Sequence, residues 1–215
     1  ADNDGSEPSA RPGGERGPYR MVTGKGPIPI YIAANQQRML RMSGRVADGV
    51  ILMGGANEEF TRWQMDLVRE GAEQVGRSMD DIKFHLWSNI SISDDKEKAR
   101  EDVSHWVTSQ AETFSKWRKL PEFLEPFRSD FESASKAYDR LEHMSQHAKH
   151  KTAVSGELID YLALVGTADE CLERIRNLSK LGLDGVTLSF RAGGRQERME
   201  EIHEGIIKPL KESAT

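Results

Sequence analysis

A single cysteine, Cys171, in 215 residues excludes an intrachain disulfide and a thiolate zinc cluster, and it points to a reducing compartment. Long apolar runs are missing as well. None approaches the roughly 20 residues that span a bilayer, and the polar opening Ala1 to Glu15 has no apolar stretch of the kind a secretory signal needs. A membrane is therefore not an expected partner, and the expected location is cytoplasmic. Cationic excess is absent too. Lys and Arg number 30 against 35 Asp and Glu, a formal charge of -5, so no basic field drives binding to nucleic acid. The chain also lacks an initiating methionine, which leads us to expect a processed, trimmed or partial protein. What is present suits a soluble, mostly folded protein: 37% hydrophobic residues, with Trp 4, Phe 7 and Tyr 4 to build a core.

Residues 1–27 are rich in glycine and proline, among them Pro12, Gly13, Gly14, Gly17 and Pro18, and poor in apolar groups. They bury too little surface to offset ordering entropy and read as a flexible tail or loop. At Ile28 the character changes. Ile28 to Ala34 is a short run of strand length, with Pro29 tolerated at its beginning. Asn35 to Ala47 places Met39, Leu40, Met42 and Val46 on one helical face and is expected to be capped by Asn35. Val50 to Met53 is a second strand ended by Gly54 and Gly55, and Asn57 opens a helix that closes near Gly76. A third strand spans Lys83 to Ile92, followed by a charged helix from Asp94 to about Phe114. Further helix is expected from Pro121 to Gln146, broken or bent at Pro126. Thr167 with Glu170 forms a capping-box start, Asp184 to Phe190 a fourth strand, and Arg195 to Glu212 a closing helix distorted by Pro209. Four strands alternating with helices predict a parallel α/β sheet. The excursion between the third and fourth strands reads as a helical insertion, centred on about 115–160, that walls a binding site.

Three sets of residues could carry chemistry. The turn Ala33, Ala34, Asn35, Gln36 and Gln37 joins a strand's C-terminal end to a helix start, where small residues admit a ligand and free N–H groups favour an anion. An ordinary strand-to-helix turn is the competing reading. Gly54 and Gly55 end the neighbouring strand on the same side of a parallel sheet, which is where open α/β sheets and barrels bind ligands. Taken alone, that pair is explained better by simple turn chemistry. His143, His147 and His150 beside Glu142 carry no zinc-protease signature and read as a solvated helix end, so no metal is expected. Gly24-Lys25-Gly26 lacks the spacing of a P-loop, and Cys171 sits among Leu172 and Ile175 as an inert packing group.

Pro27-Ile28-Pro29-Ile30-Tyr31-Ile32-Ala33-Ala34-Asn35, then Arg38-Met39-Leu40, then Gly44-Arg45-Val46-Ala47-Asp48-Gly49-Val50-Ile51-Leu52 together resemble the fifth and sixth βα units of the luciferase-like monooxygenase superfamily. Glu70-Gly71-Ala72 with Gly76-Arg77, Ala163 to Cys171, and Gly182-Leu183-Asp184-Gly185-Val186 follow in matching order. Ala137 to His143 is similar to the branch of coenzyme F420-dependent oxidoreductases. The resemblance implies a (β/α)8 TIM barrel, binding coenzyme F420 or FMN, that transfers hydride to or from a small-molecule substrate or performs monooxygenation. It also implies a cofactor phosphate near Ala33, Ala34, Asn35, Gln36, Gly54 and Gly55, although Asn35, Gln36 and Gln37 replace the family's small-residue, Gly, Pro turn. Tyr138, Glu142 and His143 would line the substrate side. A complete barrel needs eight strands. The expectation is therefore the C-terminal half of a barrel over residues 28–215, four parallel βα units completed by a homodimer mate or a partner chain. The other reading is a non-catalytic half-barrel that serves in assembly or binding.

Overall fold

The computed structural model describes residues 28–142, 149–190 and 193–213. The expected tail at 1–27, together with His143 and His147, lies outside the described residues. The chain begins with strand β1 (Tyr31–Ala34), helix α1 (Gln37–Val46), β2 (Gly49–Leu52), α2 (Glu58–Glu73) and β3 (Lys83–Ile92), close to the alternation read from the sequence. Pro29 precedes β1, which spares the ladder its missing N–H. Asn57 caps α2 by accepting from Phe60 N–H at 3.1 Å. Helix α3 (Lys96–Ser115) is capped by Asp95, which accepts from the N–H groups of Glu97 and Lys98.

After α3 the chain breaks near Pro126, one of the two outcomes expected there, and the helix beyond it ends at Ala137. Residues Glu122–Phe127, holding Pro126, form a 3-10 segment that leads into α4 (Arg128–Ala137), so the helix expected through this region is two pieces. Helix α5 (Gly156–Leu162) then brings the chain back to the sheet as β4 (Leu164–Gly166), before α6 (Ala168–Ser179) and β5 (Gly185–Ser189). The described residues thus hold five strands, not four. Three residues are too few to print a strand pattern in the sequence, and β4 exists only because Ile90 to Ile92 of β3 extend far enough to pair with it. The closing helix runs as α7 (Arg195–Ile202), a π turn at His203–Ile207 and α8 (Lys208–Glu212). Pro209 does distort it, one turn early: its ring opposes the carbonyl four residues back, at Gly205 within the π turn.

All pairings are parallel, and β3 is the central strand: Lys83–Leu86 of its length pairs with β2, His85–Asn89 with β5, and the upper end with β4. Ala34, Val50, Leu52, Phe84, Leu86 and Ile90 share one face and pack against Leu67, Val68, Cys171 and Ile175 of the helices as the main core. A second core joins Phe60 to Val103, Val107, Phe114, Leu124, Phe131, Leu158 and Leu162 around α3. The opposite face of the sheet carries Tyr31, Ala33, Ile51, Met53, His85, Trp87 and Thr187, of which Tyr31, Ala33 and Thr187 are exposed.

Two sequence-related corners fix the N-terminal edge of the sheet. In Ala47-Asp48-Gly49-Val50 the Asp48 carboxylate accepts from Ile30 N–H at 2.7 Å; in Leu183-Asp184-Gly185-Val186 the Asp184 carboxylate accepts from Phe84 N–H at 2.8 Å. Each following glycine leaves room for a ring from the neighbouring strand, Tyr31 over Gly49 and His85 over Gly185, and those two rings meet edge to face at 5.4 Å. Helices α1 and α2 cross at two glycines. A Cβ on Gly44 would stand 2.0 Å from the Val68 carbonyl oxygen, and one on Gly71 only 1.9 Å from that of Arg41. Arg77 closes the crossing by donating to the carbonyls of Gly44 and Ala47.

Candidate functional site

At the C-terminal edge of the sheet, β1 and β2 end side by side, with Met53 N–H donating to Ala34 O at 3.3 Å. This brings the turn Ala33 to Gln37 against Gly54 and Gly55, the juxtaposition the spacing suggested. The expected Asn35 cap is wrong by one residue. Gln36 occupies the N-cap position, its carbonyl accepting from Leu40 N–H at 2.9 Å, and its side chain makes no capping bond. Asn35 sits one step too early to reach the first-turn amides. Helices α2, α3, α5 and α6 begin with a side-chain cap, whereas α1, like α4, α7 and α8, has no capping bond from its own N-cap side chain.

Gly54 and Gly55 are buried, and their missing side chains are demanded from inside. A Cβ on Gly54 would lie 2.6 Å from Gln64 Oε1, and Gly55, at φ +95, faces the Leu162 carbonyl at 2.5 Å. The turn is fastened on its far side by Ala56 N–H donating to Leu162 O at 3.0 Å. Arg174 of α6 then donates to Ala56 O and to Ala163 O, each at 2.7 Å, tying the turn to β4. Burial pushes the Arg174 pKa down, but an arginine remains charged and supplies a fixed positive end behind the turn.

Under Gly54 lie two polar side chains that sequence reasoning missed. Thr61 and Gln64 are fully buried, and neither the threonine hydroxyl nor either amide atom of Gln64 has a hydrogen-bond partner among the described residues. Their three-residue spacing on an amphipathic helix is a visible signal, because a threonine and a glutamine on the buried stripe need partners. Asn89, on the upper part of β3, is likewise 1% exposed with both amide atoms unpartnered among the described residues. Beside it Ser91 donates to Asp102 at 3.0 Å, and Asp102 pairs with Arg198 at 2.8 Å, joining β3, α3 and α7.

The proposed substrate-side residues do not join this group. Tyr138 follows α4 and donates to Ser109 Oγ of α3 at 3.2 Å, and Glu142 accepts from Lys149 N–H at 2.9 Å. Among the described residues neither lines the groove at the start of α1. Cys171 is buried, and burial pushes its thiol up to about 11, consistent with an inert packing group.

The sequence profile of the luciferase-like monooxygenases matches residues 6–185. The chain belongs to that family. Within it, this luciferase-like chain is 26% identical over 191 residues to the 5,10-methylenetetrahydromethanopterin reductase of Archaeoglobus fulgidus, a match covering 86% of this chain and 55% of the relative. It is 40% identical over 84 residues to the F420-dependent glucose-6-phosphate dehydrogenase of Nocardia farcinica, covering 39% of this chain and 25% of that one. The fold resembles the coenzyme F420 dependent tetrahydromethanopterin reductase from Methanopyrus kandleri with a TM-score of 0.64 at 23% identity, covering 84% of this chain and 50% of that one. The chain thus spans about half the length of the curated relatives it matches across most of its sequence. No helix among the described residues is long and apolar enough to cross a membrane.

Proposed function

We propose that this chain supplies one half of an F420- or flavin-dependent oxidoreductase site, the C-terminal half of a (β/α)8 barrel, acting on a small organic substrate. The observation that carries the reading is the edge where β1 and β2 end. There the α1 N-terminus and the Gly54-Gly55 turn lie side by side, offering backbone N–H groups of the kind that suit a phosphate. Coenzyme F420 is the preferred ligand, because relatives that match across the chain or over its most similar stretch carry F420 in their names or in that of their structure. FMN is the second. Either cofactor, once bound, would supply the hydride chemistry. The protein's own part is to hold the phosphate on the α1 amides, fix the turn through Arg174 and keep water from the sheet's inner face.

The half-barrel reading is supported by what the sheet leaves unpaired. Among the described residues β1 pairs only with β2, and β5 only with β3, which leaves both edges open there. Ile28, Ile30, Met39 and Val46 are exposed along the first edge, and Met199 and Ile207 along the other. Open strand edges flanked by exposed apolar groups favour a second half, from a homodimer mate or a partner chain.

Titration of the purified chain with F420 and with FMN, followed by cofactor fluorescence, tests the proposal. Weak binding by the chain alone, strengthened at least tenfold when the N-terminal half of a relative is supplied, is the expected result. No binding of either cofactor in both conditions would leave the non-catalytic assembly role standing instead.

A further inference from the structure

Strands β1, β2, β3 and β5 lie side by side, all parallel, and each is followed by a helix. A closed barrel needs eight such strands. The two rims of this half-sheet are both apolar, but they carry charge of opposite sign.

On the β1 rim, Met39 and Val46 of α1 are exposed. Seven residues apart, they share one side of the helix, whereas Arg41, paired with Glu70, and Gly44, in contact with Val68, face α2 from the other. The apolar side of α1 therefore turns away from α2, toward the end of the sheet. Ile28 and Ile30, just ahead of β1, are exposed beside it. Arg38 and Arg45 are exposed on the same helix, which holds no carboxylate.

On the β5 rim, an apolar groove of about 500 Å³ is lined by Val186 and Leu188 of the strand and by Ile202, Ile206 and Leu210 of the closing helix. Met199 and Ile207 belong to its wall and are exposed. Residues 195–204 hold four glutamates, Glu197, Glu200, Glu201 and Glu204, against two arginines, of which Arg198 is committed to Asp102. This rim is anionic where the other is cationic.

We propose that a second copy of this chain completes the barrel, with β5 of each copy pairing in parallel with β1 of the other. The proposal rests on the half-barrel reading and adds which chain supplies the other half. A two-fold axis along the barrel keeps all eight strands running one way, so two seams form at once and no rim is left over. Each seam sets the closing helix of one copy beside α1 of the other. Met39 and Val46 then meet Met199 and Ile207, and the arginines of α1 face the glutamates of 197–204. Joining two rims of the same kind would oppose arginine to arginine or glutamate to glutamate, which selects the head-to-tail arrangement.

Analytical ultracentrifugation of the 215-residue chain tests this. A species of twice the 24.2 kDa monomer is expected, dissociating on dilution. Met39→Glu with Val46→Glu places carboxylates on the β1 rim, and Met199→Lys with Ile207→Lys places ammonium groups on the β5 rim. Each pair should weaken the dimer about tenfold or more, because charge enters an apolar seam with like charge opposite. An equimolar mixture of the two variants should dimerise again, since one seam is then unaltered and the other sets Glu against Lys. Val75→Glu, at an exposed apolar position beyond the end of α2, should leave the dimer unchanged. All five positions are exposed, so circular dichroism should show the parent's helix content in every variant. A monomer at every loading concentration, a mixture that fails to restore the dimer, or equal weakening by Val75→Glu would overturn the proposal. A monomer that forms a one-to-one complex with the N-terminal half of a relative overturns only the choice of a second copy; a monomer that joins neither removes the half-barrel reading with it.

Discussion

Replacing Gly44 with alanine in the middle of α1 pits two effects of opposite sign against each other. In a helix interior the exchange is worth about 1 kcal/mol in alanine's favour, since glycine loses more backbone freedom on folding. At Gly44, however, the new Cβ would stand 2.0 Å from the Val68 carbonyl oxygen, and ordinary contact begins near 3.4 Å, so α1 and α2 must part by about 1.4 Å. The obstacle is backbone, so no rotamer change relieves it. Overpacking of this kind costs about 1–3 kcal/mol, and the rigid obstacle puts Gly44 at the upper end. The net expectation is a loss of about 2 kcal/mol. With a urea slope of about 2 kcal/mol per molar, the unfolding midpoint followed by circular dichroism should fall by about 1 M at constant slope. Gly71→Ala, which meets the Arg41 carbonyl at 1.9 Å, should behave alike, and the double variant should lose less than the sum because the helices separate only once. A midpoint that rises in either single variant would refute the close-crossing argument, because propensity alone would then govern the position.

Acid sensitivity should follow two carboxylates, Asp184 at one corner of the sheet and Asp160 of α5. Hydrogen bonds from Phe84 N–H and from Lys83 hold the Asp184 carboxyl below its ordinary range; burial pushes Asp160 up, yet bonds from Arg100 and Lys96 outweigh it and hold that carboxyl low as well. Both groups are lowered on folding, so their contribution is complete above about pH 5 and is lost as pH falls through the folded-state values. Urea midpoints for Asp184→Asn measured from pH 7 to pH 3 should show a flatter acid limb than the parent, and parallel limbs would count against the assignment. Arg174→Met removes the donor to Ala56 O and Ala163 O and strands two carbonyls, each worth about 1–3 kcal/mol when buried without a partner. The chain should remain folded at low temperature yet bind phosphate at least several-fold more weakly; unchanged binding would show that the turn needs no fastening from α6.

Much of the β1-to-α3 order was legible because each element there carries its own period and punctuation. Asn57 sits where a cap must, Lys83 to Ile92 alternates cleanly, and the helix read from Asp94 starts within one residue of its cap, Asp95. Thr167 and Glu170 were equally readable, and both halves of that capping box form. The Asn35 cap failed because one-residue precision at a helix start depends on where the preceding strand lets go of its neighbour.

The sequence by itself determined the family, the parallel α/β alternation and the placing of two turns at one edge of a sheet, because those follow from local periodicity and from spacing along the chain. Tertiary structure alone decided the rest. Strand β4 is three residues that become a strand only by meeting the upper end of β3. Gly54 and Gly55 proved to be shaped by Gln64 and Leu162, which lie far from them in the chain or beneath them in the fold. Trp117, in the turn after α3, packs on Phe60 and Trp63 of α2 as well as on Phe114, more than fifty positions apart for the first two. Contacts between residues many positions apart leave no periodic trace in the sequence, and it is those contacts that bring the turns after β1 and β2 together and fasten them.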